Sequence, residues 1–186
     1  MRGMKLIAIT TSHFWPGEAQ AIVELLTERG FSRVHIRKPG ASCADVERLL
    51  HEIPAVLRHR LSLHDCHELA VQCLAGGVHL NSRNPRAPAG FSGTVSRSCH
   101  SLDELQRYAD TADYLFLSPI FDSISKTGYR AAFNLEQLAA SGLIGENVVA
   151  LGGVTLERLP ELQRVGFGGA AMLGAAWINH INQISH

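Results

Sequence analysis

Eight short runs of apolar, β-prone residues recur along the chain: Leu6–Thr10, Arg33–Ile36, Leu61–Leu63, Gly77–Leu80, Thr94–Ser98, Tyr114–Leu117, Val148–Leu151 and Gly169–Leu173. Most are continuous rather than alternating in polarity, as strands buried on both faces are. Between them lie longer segments with helical spacing: Glu18–Arg29, Ala44–Ile53, Cys66–Leu74, Leu102–Ala109, Leu135–Ser141 and Leu156–Val165. Ser42, Ser101 and Thr155 each precede such a segment, where a hydroxyl caps free backbone N–H groups, and Ser101-x-x-Glu104 has the form of a capping box. Eight strand–helix units predict a parallel α/β architecture, and that number favours a closed ring over an open flavodoxin-like sheet. The expected fold is one compact (β/α)₈ TIM barrel over residues 1–186. Barrels usually take about 250 residues, so the helices and loops must be trimmed. Asn81–Gly93, with Pro85 and Pro88, reads as a loop rather than a helix.

Lys plus Arg and Asp plus Glu both number 17, so the formal net charge is zero. That balance argues against a nucleic-acid binder, which carries a basic excess, but leaves room for a local basic site. No apolar run approaches the roughly 18 residues of a membrane helix, and the N-terminus lacks a signal-peptide pattern. The reading is of a soluble, cytoplasmic protein, with a homo-oligomer compatible. Cys43, Cys66, Cys73 and Cys99 show no C-x-x-C spacing and are expected to be buried thiols rather than a disulfide or zinc framework.

Barrel chemistry gathers on the loops after the strands. Those positions carry Thr10–His13, Arg37-Lys38-Pro39-Gly40, His64-Asp65, Asn81–Asn84, Ser98-Cys99-His100, Ser118-Pro119, the Asp122–Tyr129 loop with Lys126, Gly152-Gly153 and Gly174. Polar and basic groups thus converge on one rim. Gly152-Gly153 before Thr155, together with Gly174, fits the phosphate site that barrels often place after strands seven and eight. Arg37 is placed to clamp phosphate oxygens bidentately. Lys126 lies in a hydroxyl-rich loop suited to closing over an anion. Asp65 fits either a helix N-cap or a Mg²⁺ ligand. His64 and His67 are three apart, but no third ligand has supporting spacing, so zinc is not expected. His100 is a candidate acid–base group, a role histidine side chains commonly fill, and a hydrogen-bonded structural role is the plainer reading.

These same residues carry a family resemblance. His35-Ile-Arg37-Lys, Leu63-His-Asp65, Gly77-Val-His-Leu80, Ser98-Cys-His-Ser101, Asp113–Phe121 with Ser123-Ile-Ser-Lys126, Leu151-Gly-Gly-Val154 and Gly166-Phe-Gly-Gly169 follow in order on successive strand ends. From Leu6 to Gly174 the chain resembles the thiamine phosphate synthase and thiazole tautomerase family. The resemblance implies a TIM barrel that holds a thiazole phosphate near the Gly-Gly turn and strand eight. In the synthase branch a hydroxymethylpyrimidine diphosphate is joined to that thiazole phosphate with Mg²⁺, releasing pyrophosphate. In the tautomerase branch a thiazole carboxylate phosphate is isomerised.

The resemblance implies catalytic roles for Arg37, Lys126, Ser98 and His100. It implies substrate contacts for His35, Lys38, His64, Ser123, Ser125, Gly152, Gly153 and Gly174, and Mg²⁺ ligation by Asp65 and Asn84. Some positions depart from the synthase pattern. His35 replaces a glutamine, Pro39 a lysine, His64 an asparagine and Asn84 a second metal aspartate. Ser123 and Ser125 stand for threonines. Each departure weakens diphosphate binding; one lost charge-assisted bond costs on the order of 1.5–3 kcal/mol. The tautomerase branch is matched at His35-Ile-Arg37 and Ser98-Cys-His100, but Pro119 stands where its catalytic histidine would be. Ser118-Pro-Ile-Phe121 and Lys126 favour the transferase. An isomerase using His100 or His35 and a non-catalytic thiazole-phosphate binder are the alternatives.

Overall fold

A computed structural model describes residues 3–122 and 131–177. Eight parallel strands form a closed barrel in chain order: β1 (Lys5–Ile9), β2 (Arg33–Ile36), β3 (Leu61–Leu63), β4 (Gly77–Leu80), β5 (Thr94–Cys99), β6 (Tyr114–Leu117), β7 (Val148–Leu151) and β8 (Gly169–Met172). β1 pairs with β2 on one side and β8 on the other, so the sheet has no free edge. The expected strands are all present, with ends shifted by at most a residue.

The helices are trimmed as the chain length requires. α1 (Glu18–Thr27) buries Ala21, Ile22, Leu25 and Leu26 on one stripe. Ser42 caps α2 (Cys43–Glu52), its Oγ accepting from the Asp45 N–H at 3.2 Å. A single turn, α3 (Ala55–Arg58), follows Pro54; four residues are too few to show a period. α4 spans only Glu68–Gln72, because Cys66 (φ 53) and Leu74 (φ 61) take left-handed conformations on either side of it. Ser101 caps α5 (Leu102–Tyr108), and Glu104 reaches back to the His100 N–H at 2.6 Å. Asn134 caps α6 (Leu135–Ala140). The segment expected as one helix from Leu156 is a 3₁₀ turn, Leu156–Arg158, followed by α7 (Leu159–Val165). Pro160 has no N–H to donate and its ring crowds the carbonyl four residues back, so the helix restarts there. Thr155 makes no side-chain cap bond, contrary to expectation. Among the described residues no helix lies between β4 and β5, and none is long and apolar enough to cross a membrane.

The core has two parts. The larger packs strand outer faces against helices, including Leu25, Val34, Leu50, Leu63, Leu117 and Trp177. The smaller, Ile7, Ile9, Phe116, Val149 and Ala171, fills one side of the barrel interior. The other side of the interior is polar: His35, Ser62, His79 and Ser96 are buried there on β2 to β5. At its base Arg33 crosses to Ser62 Oγ (3.0 Å) and Thr94 Oγ1 (3.3 Å). A Cβ on Gly77 would fall 2.7 Å from that guanidinium and 2.2 Å from Ser62 Oγ, so only glycine fits.

The cysteine expectation is corrected for two of the four. Cys43 at the start of α2 and Cys66 after β3 form a disulfide, with Cα atoms 5.6 Å apart. Their approach is created by the β2–α2–β3 fold, not by local spacing, so no motif announces it. Cys73 and Cys99 are buried free thiols as expected.

Candidate active site

A cavity of about 890 Å³ opens at the C-terminal ends of the strands. Its wall runs from Arg37, His64, Arg83, Arg97 and Ser98 on the β2–β5 side to Gly152, Gly153 and Gly174 on the β7–β8 side. Phe116, Leu151, Ala171 and Leu173 give it an apolar floor. Among the described residues three arginines meet one acid on the wall, Glu104, whose Oε2 accepts from the His100 N–H. The local charge is therefore positive although the chain is neutral overall, which suits an anionic ligand.

Arg37 is positioned through its backbone, its N–H donating to Thr10 Oγ1 at 2.9 Å. Ser98 Oγ lies 2.9 Å from His79 Nε2, and His79 Nδ1 lies 2.9 Å from Ser96 Oγ. His100 lines the cavity with its Nδ1 held 3.1 Å from the Ser118 carbonyl, so one ring nitrogen serves structure. Gly152 and Gly153 have φ of 94° and 61°. A Cβ on Gly152 would lie 2.8 Å from Pro119 Cα, and one on Gly153 would lie 2.3 Å from the Asp122 carbonyl oxygen. Glycine there lets the chain after β6 lie against the turn after β7. Gly174 has open space around it. The expected sites Ser123, Ser125 and Lys126 lie outside the described residues.

Two expected substrate contacts are placed elsewhere. Lys38 is 2% exposed, and its ammonium lies 2.6 Å from Glu18 Oε1, 3.0 Å from the Thr11 carbonyl and 2.8 Å from the His13 carbonyl. All three of its N–H donors are used, so it does not stand in for the lysine absent at Pro39. Burial lowers the Lys38 pKa and raises that of Glu18, each partly offset by the other's charge. His35 is fully buried beneath the cavity, its Nδ1 2.9 Å from His64 Nε2 and its Nε2 2.6 Å from Tyr114 Oη. It shapes the site through His64 rather than by reaching the cavity.

His79 and Tyr114 are among the residues for which the sequence suggests no site role. The visible signal was a polar residue inside an otherwise apolar strand. His35, His64 and His79 converge, with His64 stacked on His79 at 4.1 Å between ring centroids. Burial drives all three below the ordinary histidine value of 6.5, well below for His35 and His64 and to about 3 for His79. They are neutral near pH 7. One nitrogen from each lies within 4.8 Å of the others, near enough to share a metal ion. Yet those nitrogens are engaged with one another, Tyr114 and two serines, and Arg33, Arg37 and Arg97 add positive charge around them. The trio reads as a hydrogen-bonded floor. His67 is not part of it; its Nε2 meets the His79 carbonyl.

The donor set for Mg²⁺ sits beside His64. Asp65 offers a carboxylate and Asn84 a carboxamide, hard oxygen donors of the kind Mg²⁺ accepts when phosphates complete its shell. Asn84 Nδ2 lies 3.1 Å from Asp65 Oδ1, and Asn81 and Asn84 both donate to the His64 carbonyl. The residues fit a cation that arrives with an anionic ligand.

Parallel barrels place their chemistry at this end of the strands, and a cationic cavity here defines a barrel of the enzyme type that takes anionic small molecules. The family is narrower. The model of the thiamine monophosphate synthase family matches residues 6–176, and the chain belongs to that family. Thiamine-phosphate synthase of Bacteroides thetaiotaomicron is 26% identical over 162 residues, 79% of this chain and 78% of that protein. A crystal structure of thiamine phosphate pyrophosphorylase from the same organism superposes with a TM-score of 0.81 at 37% identity, covering 94% of this chain and 85% of that one. The pyrophosphorylase from Pyrococcus furiosus, 24% identical, shares the fold with a TM-score of 0.74 over 92% of this chain and 86% of that one. The family model and the Bacteroides relatives favour the synthase branch and not the isomerase or binder alternatives.

Proposed function

We propose that the chain is a thiamine-phosphate synthase-type transferase, joining a hydroxymethylpyrimidine diphosphate to a thiazole phosphate with release of pyrophosphate. Family membership across residues 6–176 carries this reading. The cavity supports it by pairing an arginine-lined side with a glycine-lined side, room for two phosphorylated substrates. In this reading the thiazole phosphate lies against Gly152, Gly153 and Gly174, and the diphosphate against Arg37; Lys126, which the family resemblance assigns to the leaving group, lies outside the described residues. The bond between the pyrimidine methylene and the diphosphate oxygen breaks, and its electron pair leaves with pyrophosphate. The thiazole nitrogen lone pair then forms the new C–N bond to the cation-like methylene.

Arg37 stabilises charge that grows on the leaving oxygens, an interaction stronger in the transition state than in the ground state. Ser98, oriented by His79, and His64 hold the pyrimidine side. Asp65 and Asn84 would hold Mg²⁺, which when bound neutralises diphosphate charge. The neutral imidazole floor adds no positive charge to compete for that anion.

The test is pyrophosphate release from the two substrates with Mg²⁺. Release should require both substrates and fall by about 100-fold or more in Arg37→Ala. No release from folded protein supplied with both substrates overturns the reading.

A further inference from the structure

Arg83 has no role in the transfer step itself, yet it lines the cavity while Asp65 and Asn84 do not. Its guanidinium grips the Asp65 carboxylate: Nη2 lies 3.0 Å and 3.3 Å from the two oxygens and Nε lies 3.3 Å from Oδ1. In this structure the metal-type carboxylate is therefore neutralised by an internal cation. Asp65 is 22% exposed and Arg83 is 59% exposed. An ion pair this open to water is weak, and the arginine is free to change partners.

Guanidinium forks match carboxylate and phosphate oxygens equally well. A divalent cation and a guanidinium repel each other on one carboxylate, so binding of the first favours departure of the second. Lys38 is spent on Glu18 and residue 39 is proline, which leaves the diphosphate side short of a cation that Arg83 can supply.

We propose that Arg83 is an exchangeable counterion. It holds Asp65 when the site is empty and moves to the diphosphate when a divalent cation takes the carboxylate. This deepens the transferase reading and rests on it.

The exchange makes opposite predictions for two probes. Mn²⁺, which favours the same oxygen ligands as Mg²⁺, is titrated alone by electron paramagnetic resonance. Inorganic pyrophosphate is titrated calorimetrically at saturating Mn²⁺. Arg83→Gln should bind Mn²⁺ alone more tightly, by about threefold to tenfold, and pyrophosphate more weakly, by about tenfold or more. Arg83→Lys keeps the charge without the fork and should fall between for both. In an Asp65→Asn background Arg83→Gln should no longer affect Mn²⁺.

Unchanged or weakened Mn²⁺ binding in Arg83→Gln overturns the exchange, and so does unchanged pyrophosphate binding. Wild-type protein that binds no pyrophosphate at saturating Mn²⁺ overturns the transferase reading itself, and the exchange with it.

Discussion

Acid should unfold this protein in a way that the three interior imidazoles control. Folded, His35, His64 and His79 resist protonation well below the ordinary value of 6.5. Unfolded, each takes up a proton near that value. Below pH 6.5 the unfolded chain binds more protons than the folded one, so stability falls as pH falls. At pH 5.5, one unit below the unfolded value, each imidazole costs roughly 1–2 kcal/mol, and the three together about 4 kcal/mol. That is a large part of the ~5–15 kcal/mol that holds a typical domain together. The loss continues with falling pH until each folded-state pKa is reached, about 3 for His79. Urea unfolding followed by circular dichroism from pH 8 to 5 reads the slope directly. The double variant His35→Gln, His64→Asn removes two of the three titrations and keeps hydrogen-bonding side chains. Its slope between pH 6.5 and 5 should drop to about one third. A wild-type stability flat over that window refutes the buried neutral trio, as does a slope unchanged in the double variant.

Three further outcomes follow from the packing. Lys38→Met leaves Glu18 buried without its cation and should cost about 3–5 kcal/mol in urea melts, while adding Glu18→Leu should recover much of that loss. Gly152→Ala forces a Cβ to 2.8 Å from Pro119 Cα at φ 94°; it should destabilise by about 1–3 kcal/mol and weaken binding of inorganic phosphate, read by melting and calorimetry. Reducing Cys43–Cys66, which spans a separation of 23 residues, should cost about 3 kcal/mol, measured as the difference between urea midpoints with and without reductant; equal midpoints would show that the bond adds nothing to stability.

The strands were legible because both faces are buried, so apolar continuity survives in one dimension. Val34, Ile36, Leu115 and Leu117 announce themselves without any partner being known. What pairs across the barrel was not legible. His35 meets His64 and Tyr114 at separations of 29 and 79 residues, and Cys43 meets Cys66 only because α2 returns the chain to β3. Lys38 and Glu18 illustrate the same point with a larger consequence. From sequence Lys38 is expected to contact substrate and Glu18 only opens a helical segment, and neither residue type is usually buried. Only the crossing of α1 and the turn after β2 shows that they neutralise each other in the core.

That pairing changes what the departures at the rim mean. With Pro39 and Asn84 in place of a lysine and an aspartate, the diphosphate side reads from sequence as thinned in cations and metal ligands alike. In three dimensions Lys38 is withdrawn too, yet Arg37, Arg83 and Arg97 all face the cavity. The thinning is therefore in carboxylates. A site with one metal-type carboxylate, itself held by an arginine, relies on guanidinium more than on a metal ion to hold phosphate charge. Its affinity for diphosphate should accordingly depend less steeply on divalent cation concentration than that of a relative with two metal carboxylates. Pyrophosphate titrations across a Mg²⁺ series on this chain and on such a relative measure that difference; equal dependence would return the metal to the dominant role.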